Sequence, residues 1–177
     1  MAAMLAMGAG LLVPFVLLGA VAWRGLGGKI NGRIAALVVV LAATAWLLRA
    51  EVPGHAPLRA RSVAEFCDGF LRLLAWPYAE QPWVGLVLNL PLLLLAGARL
   101  GLRRPAVTGE AFVWLAAGWI VATLAVTAWS RGGGTEFAAG VPSRYIDFVV
   151  LLPLLNVWGV LVLIREGAAR ARFVGGA

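Results

Sequence analysis

Five apolar runs follow one another along this chain, at residues 4–23, 34–48, 83–102, 111–129 and 148–164. Each is close to the length of about 20 residues that a helix needs to cross the hydrocarbon core of a bilayer. The second run is shorter, but Arg33 and Arg49 bracket it, and their long side chains can reach the two headgroup layers. The runs lack the alternation of barrel strands. The sequence therefore predicts an all-α, polytopic integral membrane protein with five transmembrane helices.

The composition supports this fold class and argues against a soluble domain. Hydrophobic residues make up 62% of the chain and charged residues 13%, whereas soluble domains are about half apolar and about a quarter charged. The net charge of +7 raises the question of nucleic acid, but the basic residues lie at the ends of apolar runs, which is typical of proteins in lipid. A single cysteine, Cys67, excludes an internal disulfide. We expect no nucleic-acid partner, no metal site and no cofactor.

The 177 residues are predicted to form a single helical membrane unit. The first apolar run begins almost at residue 1 and lacks the basic segment that precedes the apolar part of a signal peptide. This start is typical of the C-terminal portion of a longer polytopic protein, so a fragment of such a protein is one expectation.

The distribution of basic residues predicts the orientation. If all five spans are correct, nine basic residues lie on one side and six on the other. The positive-inside rule makes the first side cytoplasmic, with the N-terminus out and the C-terminus in. The bias toward Arg, Ala, Gly and Leu fits a GC-rich bacterial genome and hence a bacterial inner membrane. The nine residues on the inner side are Arg24, Lys29, Arg33, Arg99, Arg103, Arg104, Arg165, Arg170 and Arg172.

The outer segment between the second and third spans contains an amphipathic helix, predicted at residues 62–76. Ser62 and Glu65 have the spacing of a capping box, and Asp68 can pair with Arg72 one turn later. Apolar residues follow at helical spacing on the other face. The pattern indicates a helix lying on the outer membrane surface. Two roles are open for this helix, an amphipathic collar packed on the bundle and a substrate gate, and we favour the collar.

The last outer loop, residues 129–148, has two interpretations. In the first, Ser143 caps the final span and Arg144 pairs with Asp147, so that the loop is a hydrated link. In the second, two arginines, a tyrosine and the free backbone N–H groups of a glycine turn form a phosphate cradle. The candidate lipid-phosphate-binding residues are Arg131, Gly132, Ser143, Arg144, Tyr145 and Asp147.

Two asparagines stand out within the spans. Asn89 and Asn156 each lie near a proline. A buried amide in lipid usually bonds to a neighbouring helix or to a carbonyl that a proline has released. We therefore predict structural hydrogen bonds for both, and the absence of a central carboxylate or lysine in any span argues against an ion pathway.

The segments "LLAWPYAEQPWVGLVLNLPLLLL", "AWSRGG" and "SRYIDFVVLLPLLNVW" together resemble the C-terminal region of large uncharacterised bacterial inner-membrane proteins. Those proteins carry an aromatic-x-Arg-Gly and a Ser-Arg-Tyr-x-Asp element around their last outer loop. The resemblance covers about half of the chain and implies a role in cell-surface glycan assembly, with membrane lipids and a polyprenyl-phosphate-linked glycan as partners. It also implies that a catalytic acid would lie in upstream parts that this chain lacks. Catalysis by this chain alone is not expected.

The alternative function is a structural or assembly subunit of a membrane complex with no ligand of its own. Its contacts with other membrane subunits would use faces of small residues, which let helices approach closely. Two such faces are Gly8/Gly10 and Ala116/Ala117/Gly118.

Overall fold

The computed structural model describes residues 12–25, 31–47, 53–102, 108–133, 137, 141 and 143–175. All regular structure in this part of the chain is helical, which confirms the all-α class. The elements are α1 (Val13–Gly25), α2 (Gly32–Leu47), a 3-10 helix (Pro53–Leu58), α3 (Val63–Leu74), α4 (Val84–Leu88), α5 (Leu90–Leu102), α6 (Thr108–Arg131), α7 (Ser143–Val149) and α8 (Leu151–Gly175).

Two helical stretches are long and apolar enough to cross a membrane, Glu110–Arg131 and Tyr145–Gly167. Three further apolar helices are shorter, Val13–Ala22, Gly32–Leu47 and Leu90–Arg99. In the most apolar window of the two long stretches only 33% and 22% of the residues are buried within the fold, whereas a core helix of a soluble protein is mostly buried. These helices therefore indicate membrane association, and the count of five spans stays a prediction.

The predicted spans differ from the helices where the sequence interrupts them. The third predicted span divides into α4 and α5 at Asn89, and the fifth begins earlier, as α7, and continues through a turn at Val150 into α8. The fourth is α6, which extends beyond the predicted span at both ends. The predicted start of the first span, and Gly8 and Gly10, lie outside the described residues.

Helix α6 is the centre of the fold, because it contacts α1, α3, α8 and the 3-10 helix. The main core cluster lies where α6 meets α3, α7 and α8. It consists of Leu73, Ile120, Leu124, Ala128, Phe137, Val149 and Leu152, all at most 3% exposed. One predicted subunit interface is used inside the chain. Ala117 is buried, and a Cβ added to Gly118 would lie 3.5 Å from Val16 Cγ1 of α1.

Helix α2 lies at the edge of the bundle and packs against α1. Its buried residues, Val38, Ala42 and Ala45, follow helical spacing and form one narrow stripe. The large apolar side chains on its remaining surface are exposed, as expected for a helix that faces lipid. They are Ile34, Leu37, Val39, Val40, Leu41, Trp46 and Leu47.

The amphipathic helix forms as α3, two residues shorter than predicted at its C-terminal end. Ser62 is its N-cap, and its Oγ accepts a hydrogen bond of 3.1 Å from the Glu65 N–H. The Glu65 carboxylate accepts from the Arg61 N–H at 2.7 Å, one residue before the partner in the usual capping box. Leu73 is fully buried and Phe66, Phe70 and Leu74 pack against the same cluster, so the bundle covers the apolar face of α3 from Phe66 onward. This packing on α6 is what we expect of a collar.

The two predicted asparagines meet in the interior. The Asn156 amide donates to Asn89 Oδ1 at 2.9 Å, and Asn156 Oδ1 accepts from the Leu92 N–H at 3.3 Å. Leu92 lies in the first turn of α5, where N–H groups have no partner within the helix. The remaining amide hydrogens bond to the carbonyl oxygens of Leu74, Gly85 and Leu152. The pair therefore supplies hydrogen-bond partners to backbone groups on both sides of the helix break at Asn89. This confirms the prediction of structural hydrogen bonds.

Replacing Asn156 with Leu should lower the free energy of unfolding by about 1–2 kcal/mol, because the Leu92 N–H and Asn89 Oδ1 lose their partner. Unfolding of the purified protein in mixed micelles measures this change. Val157→Ala is the matched control, because Val157 is 59% exposed on the same helix. Equal stability of the Asn156→Leu variant and the wild type would show that the amide pair contributes nothing.

Candidate functional site

The loop that follows α6 docks at its start onto the chain segment that precedes α3. The Ala60 N–H donates to the Trp129 carbonyl at 2.9 Å, and the Gly133 N–H donates to the Leu58 carbonyl at 3.0 Å. The end of α6 is thereby joined by two backbone hydrogen bonds to a segment about 70 residues earlier in the sequence. The loop begins as a docked element at this end rather than as a hydrated link.

Two glycines of this loop permit the close approach of the backbone. A Cβ on Gly132 would clash with the Ala128 carbonyl oxygen, and a Cβ on Gly133 would clash with the Arg59 carbonyl oxygen. Both backbone N–H groups have acceptors, since Gly132 donates to Ala128 at 2.7 Å and Gly133 donates to Leu58. The expectation of free N–H groups for a phosphate is therefore wrong at these two positions. Gly134 lies outside the described residues.

Phe137 anchors the middle of the loop in the core. Its side chain is 2% exposed, and its ring lies edge-on to Tyr145 with 6.3 Å between the ring centroids. A Cβ added to Gly69 of α3 would lie 3.4 Å from Phe137 Cδ2 and 3.3 Å from Gly132 Cα. One chain of contacts thus links Gly132, Gly69, Phe137 and Tyr145. The start of α7 and the end of α6 therefore rest on the same part of the core.

The predicted cradle residues are placed as follows. Arg131 is the last residue of α6 and is half-buried, and Tyr145 is half-buried in α7. Asp147 is exposed in α7. Ser143 and Arg144 form the first turn of α7, but their side chains are outside the described part of the chain, and with them the predicted cap and the predicted Arg144–Asp147 pair. Both ends of the loop pack on the same part of the core through Gly69 and Phe137, and Arg131 and Tyr145 make contacts within the fold.

Two arginines that the sequence interpretation left out of the cradle lie at the same place. Arg59 and Arg61 are exposed, while Ala60 between them is 3% exposed. Ala60 therefore faces the fold, while both arginine side chains are exposed. Because Ala60 bonds to the Trp129 carbonyl, the two arginines flank the end of α6. The Arg-Ala-Arg pattern is visible in the sequence, but its pairing with a segment so far along the chain is not.

Two charged residues of α3, Asp68 and Arg72, are paired with each other. Arg72 Nε lies 2.6 Å from Asp68 Oδ2, and Arg72 also donates to the Ala79 carbonyl at 3.2 Å. Among the described residues no group of three or more His, Cys, Asp or Glu side chains could hold a metal ion. The cationic side chains described near the docked loop are those of Arg59, Arg61 and Arg131.

No family model, curated protein or solved structure matches this chain. The resemblance to large bacterial inner-membrane proteins therefore stays a prediction.

Proposed function

We propose that this chain is a multi-pass module of a bacterial inner membrane that holds a lipid-linked phosphate at its outer face. The observation that supports this most is the docked loop. The end of α6, which carries Arg131, and the helix α7 pack on the same core cluster. In this proposal Arg131 and Arg144 bind the phosphate, Tyr145 contributes a hydrogen bond or stacks, and Asp147 orients Arg144. Ser143 and Gly132 shape the backbone around them.

The chemistry of the side chains supports a phosphate over other anions. A guanidinium group presents a planar fork of donors that matches two phosphate oxygens at once. Arginine also keeps its charge in a partly apolar environment. Tyr145 joins an apolar ring to a polar tip, as residues at the headgroup level do. A half-buried Arg131 and a half-buried Tyr145 suit a charged headgroup on an apolar chain.

The surface of the helices supports a lipid as the carrier of the phosphate. Apolar side chains such as Val121, Val126 and Trp129 are exposed on α6, between 41% and 50%. In a bilayer these residues would contact acyl or polyprenyl chains. We propose the outer face, with the N-terminus out and the C-terminus in, and a role in cell-envelope glycan assembly.

Native mass spectrometry of the purified chain in mild detergent tests this proposal. We expect a retained phospholipid or polyprenyl-phosphate adduct in the wild type and its loss in the Arg131→Ala/Arg144→Ala variant. Two charge-assisted contacts at about 1.5–3 kcal/mol each make this loss about a hundredfold or more in affinity.

The matched control is Arg33→Ala/Arg165→Ala, which removes two exposed arginines predicted on the inner side. The control changes the net charge by the same amount but leaves the proposed binding residues intact, so it should keep the adduct. An adduct that survives in the Arg131→Ala/Arg144→Ala variant would exclude the cradle. No specific adduct in any form would favour the assembly subunit without a ligand.

A further inference from the structure

We infer that Arg59 and Arg61 complete the anion site, and that the enlarged site takes a diphosphate headgroup in preference to a monophosphate. The inference rests on the proposed function, because it concerns the same end of the bundle. It adds two binding residues and a substrate class. The observation that carries it is the backbone pairing of Ala60 with Trp129, between two exposed arginines and the end of α6.

The position of these arginines is fixed by the fold. The segment is held by the hydrogen bond from Ala60 and by the bond from Gly133 to Leu58 on its other side. On the C-terminal side, the Glu65 carboxylate accepts the Arg61 N–H at 2.7 Å. A backbone fixed at three points costs little further entropy when it binds a ligand, which favours a preformed site.

The charges around this segment favour a ligand with more than one negative charge. The guanidinium groups of Arg59 and Arg61 are exposed beside the end of α6, and the Glu65 carboxylate accepts a hydrogen bond from the Arg61 backbone N–H. Arg72 does not contribute, because it pairs with Asp68. A monophosphate monoester carries a charge of about −1.5 to −2 at pH 7, while a diphosphate monoester carries more and offers oxygens on two phosphorus atoms. The two phosphates would occupy different arginines.

The apolar neighbours favour a diphosphate attached to a lipid over a soluble one. Val63, two residues after Arg61, is 75% exposed, and Trp129 is 50% exposed. Trp129 is held by an edge-on contact with Phe66 at 6.3 Å between ring centroids. An apolar chain leaving the headgroup would meet these side chains. A soluble diphosphate would gain nothing from them.

The test compares geranylgeranyl diphosphate with geranylgeranyl monophosphate as probes for the full chain in detergent. We expect the wild type to bind the diphosphate about tenfold more tightly, as one additional charge-assisted contact predicts. The Arg59→Gln/Arg61→Gln variant should bind both probes within about twofold of each other. The Arg33→Gln/Arg165→Gln control should keep the wild-type ratio.

Failure of the inference and failure of the proposed function give different results. If the wild type binds neither probe, the proposed function fails and the inference fails with it. If the wild type binds both but the ratio is near one, or if the ratio is unchanged in Arg59→Gln/Arg61→Gln, only the inference is overturned. Inorganic pyrophosphate is the third probe. If inorganic pyrophosphate binds as tightly as the lipid diphosphate, the inference that the ligand is a lipid is overturned.

Discussion

Replacing Arg99 with Ala is expected to lower the free energy of unfolding by about 3–5 kcal/mol, the range for breaking a buried ion pair by removing one partner. Arg99 Nε lies 2.6 Å from Glu110 Oε1, and its Nη2 lies 2.5 Å from Glu166 Oε1. The side chains of Arg99 and Glu110 are only 14% and 10% exposed. One guanidinium group thus connects α5, α6 and α8, and its loss leaves two carboxylates close together without a cation.

Two further variants separate the unpaired charges from the loss of the side chain. The triple variant Arg99→Leu/Glu110→Gln/Glu166→Gln should recover part of the lost stability, because it leaves no charge unpaired. Arg165→Ala removes an exposed arginine next to Glu166 and should change stability by less than about 0.5 kcal/mol. Unfolding midpoints in mixed micelles give all three values. A change as small for Arg99→Ala as for Arg165→Ala would contradict the conclusion that these ion pairs hold α5, α6 and α8 together.

Replacing Phe137 with Ala is the second large effect, at about 3–5 kcal/mol, the range for removing a buried aromatic side chain. Phe137 is 2% exposed and is the described residue through which the middle of the loop after α6 joins the core. Its loss leaves a cavity beside Gly69 and releases Tyr145 from its ring contact. The same variant should therefore lose the lipid adduct together with stability.

Thermal unfolding measures the stability part of this prediction. Phe112→Ala is the control, because Phe112 is 74% exposed on α6 and should change stability by less than about 0.5 kcal/mol. A loss below about 1 kcal/mol for Phe137→Ala would mean that the loop is not anchored by this ring. Retention of the adduct in a folded Phe137→Ala variant would separate the anchor from the anion site.

The local part of this fold could be predicted from the sequence. Helix α2 (Gly32–Leu47) was expected at residues 34–48, and α6 (Thr108–Arg131) was expected at 111–129. The cap at Ser62 was also predictable. These features depend on hydrophobic periodicity, on charges at the ends of apolar runs and on side chains within four residues, all of which are visible in one stretch of sequence.

The contacts that build the candidate site depend on residues far apart in the chain. The pairing of Ala60 with Trp129 and the burial of Phe137 are examples. The salt bridge between Arg99 and Glu166, residues of α5 and α8, is a similar long-range contact outside the site. No local pattern specifies such pairs, because they follow from how the helices pack. Gly132 and Gly133 were correctly expected at a turn. The structure shows in addition that neighbouring backbone carbonyls leave no room for a Cβ at either position.

The proposed function requires that the end of the bundle with α3 and the docked loop faces the outside of the membrane. The single cysteine tests this directly, because Cys67 lies on α3 and is exposed. We expect a membrane-impermeant maleimide to label Cys67 in intact spheroplasts, with the protein retained in carbonate-washed membranes. Cys67→Ser/Arg165→Cys should be labelled only after lysis. Labelling of Cys67 only after lysis, or release of the protein by carbonate, would contradict the account.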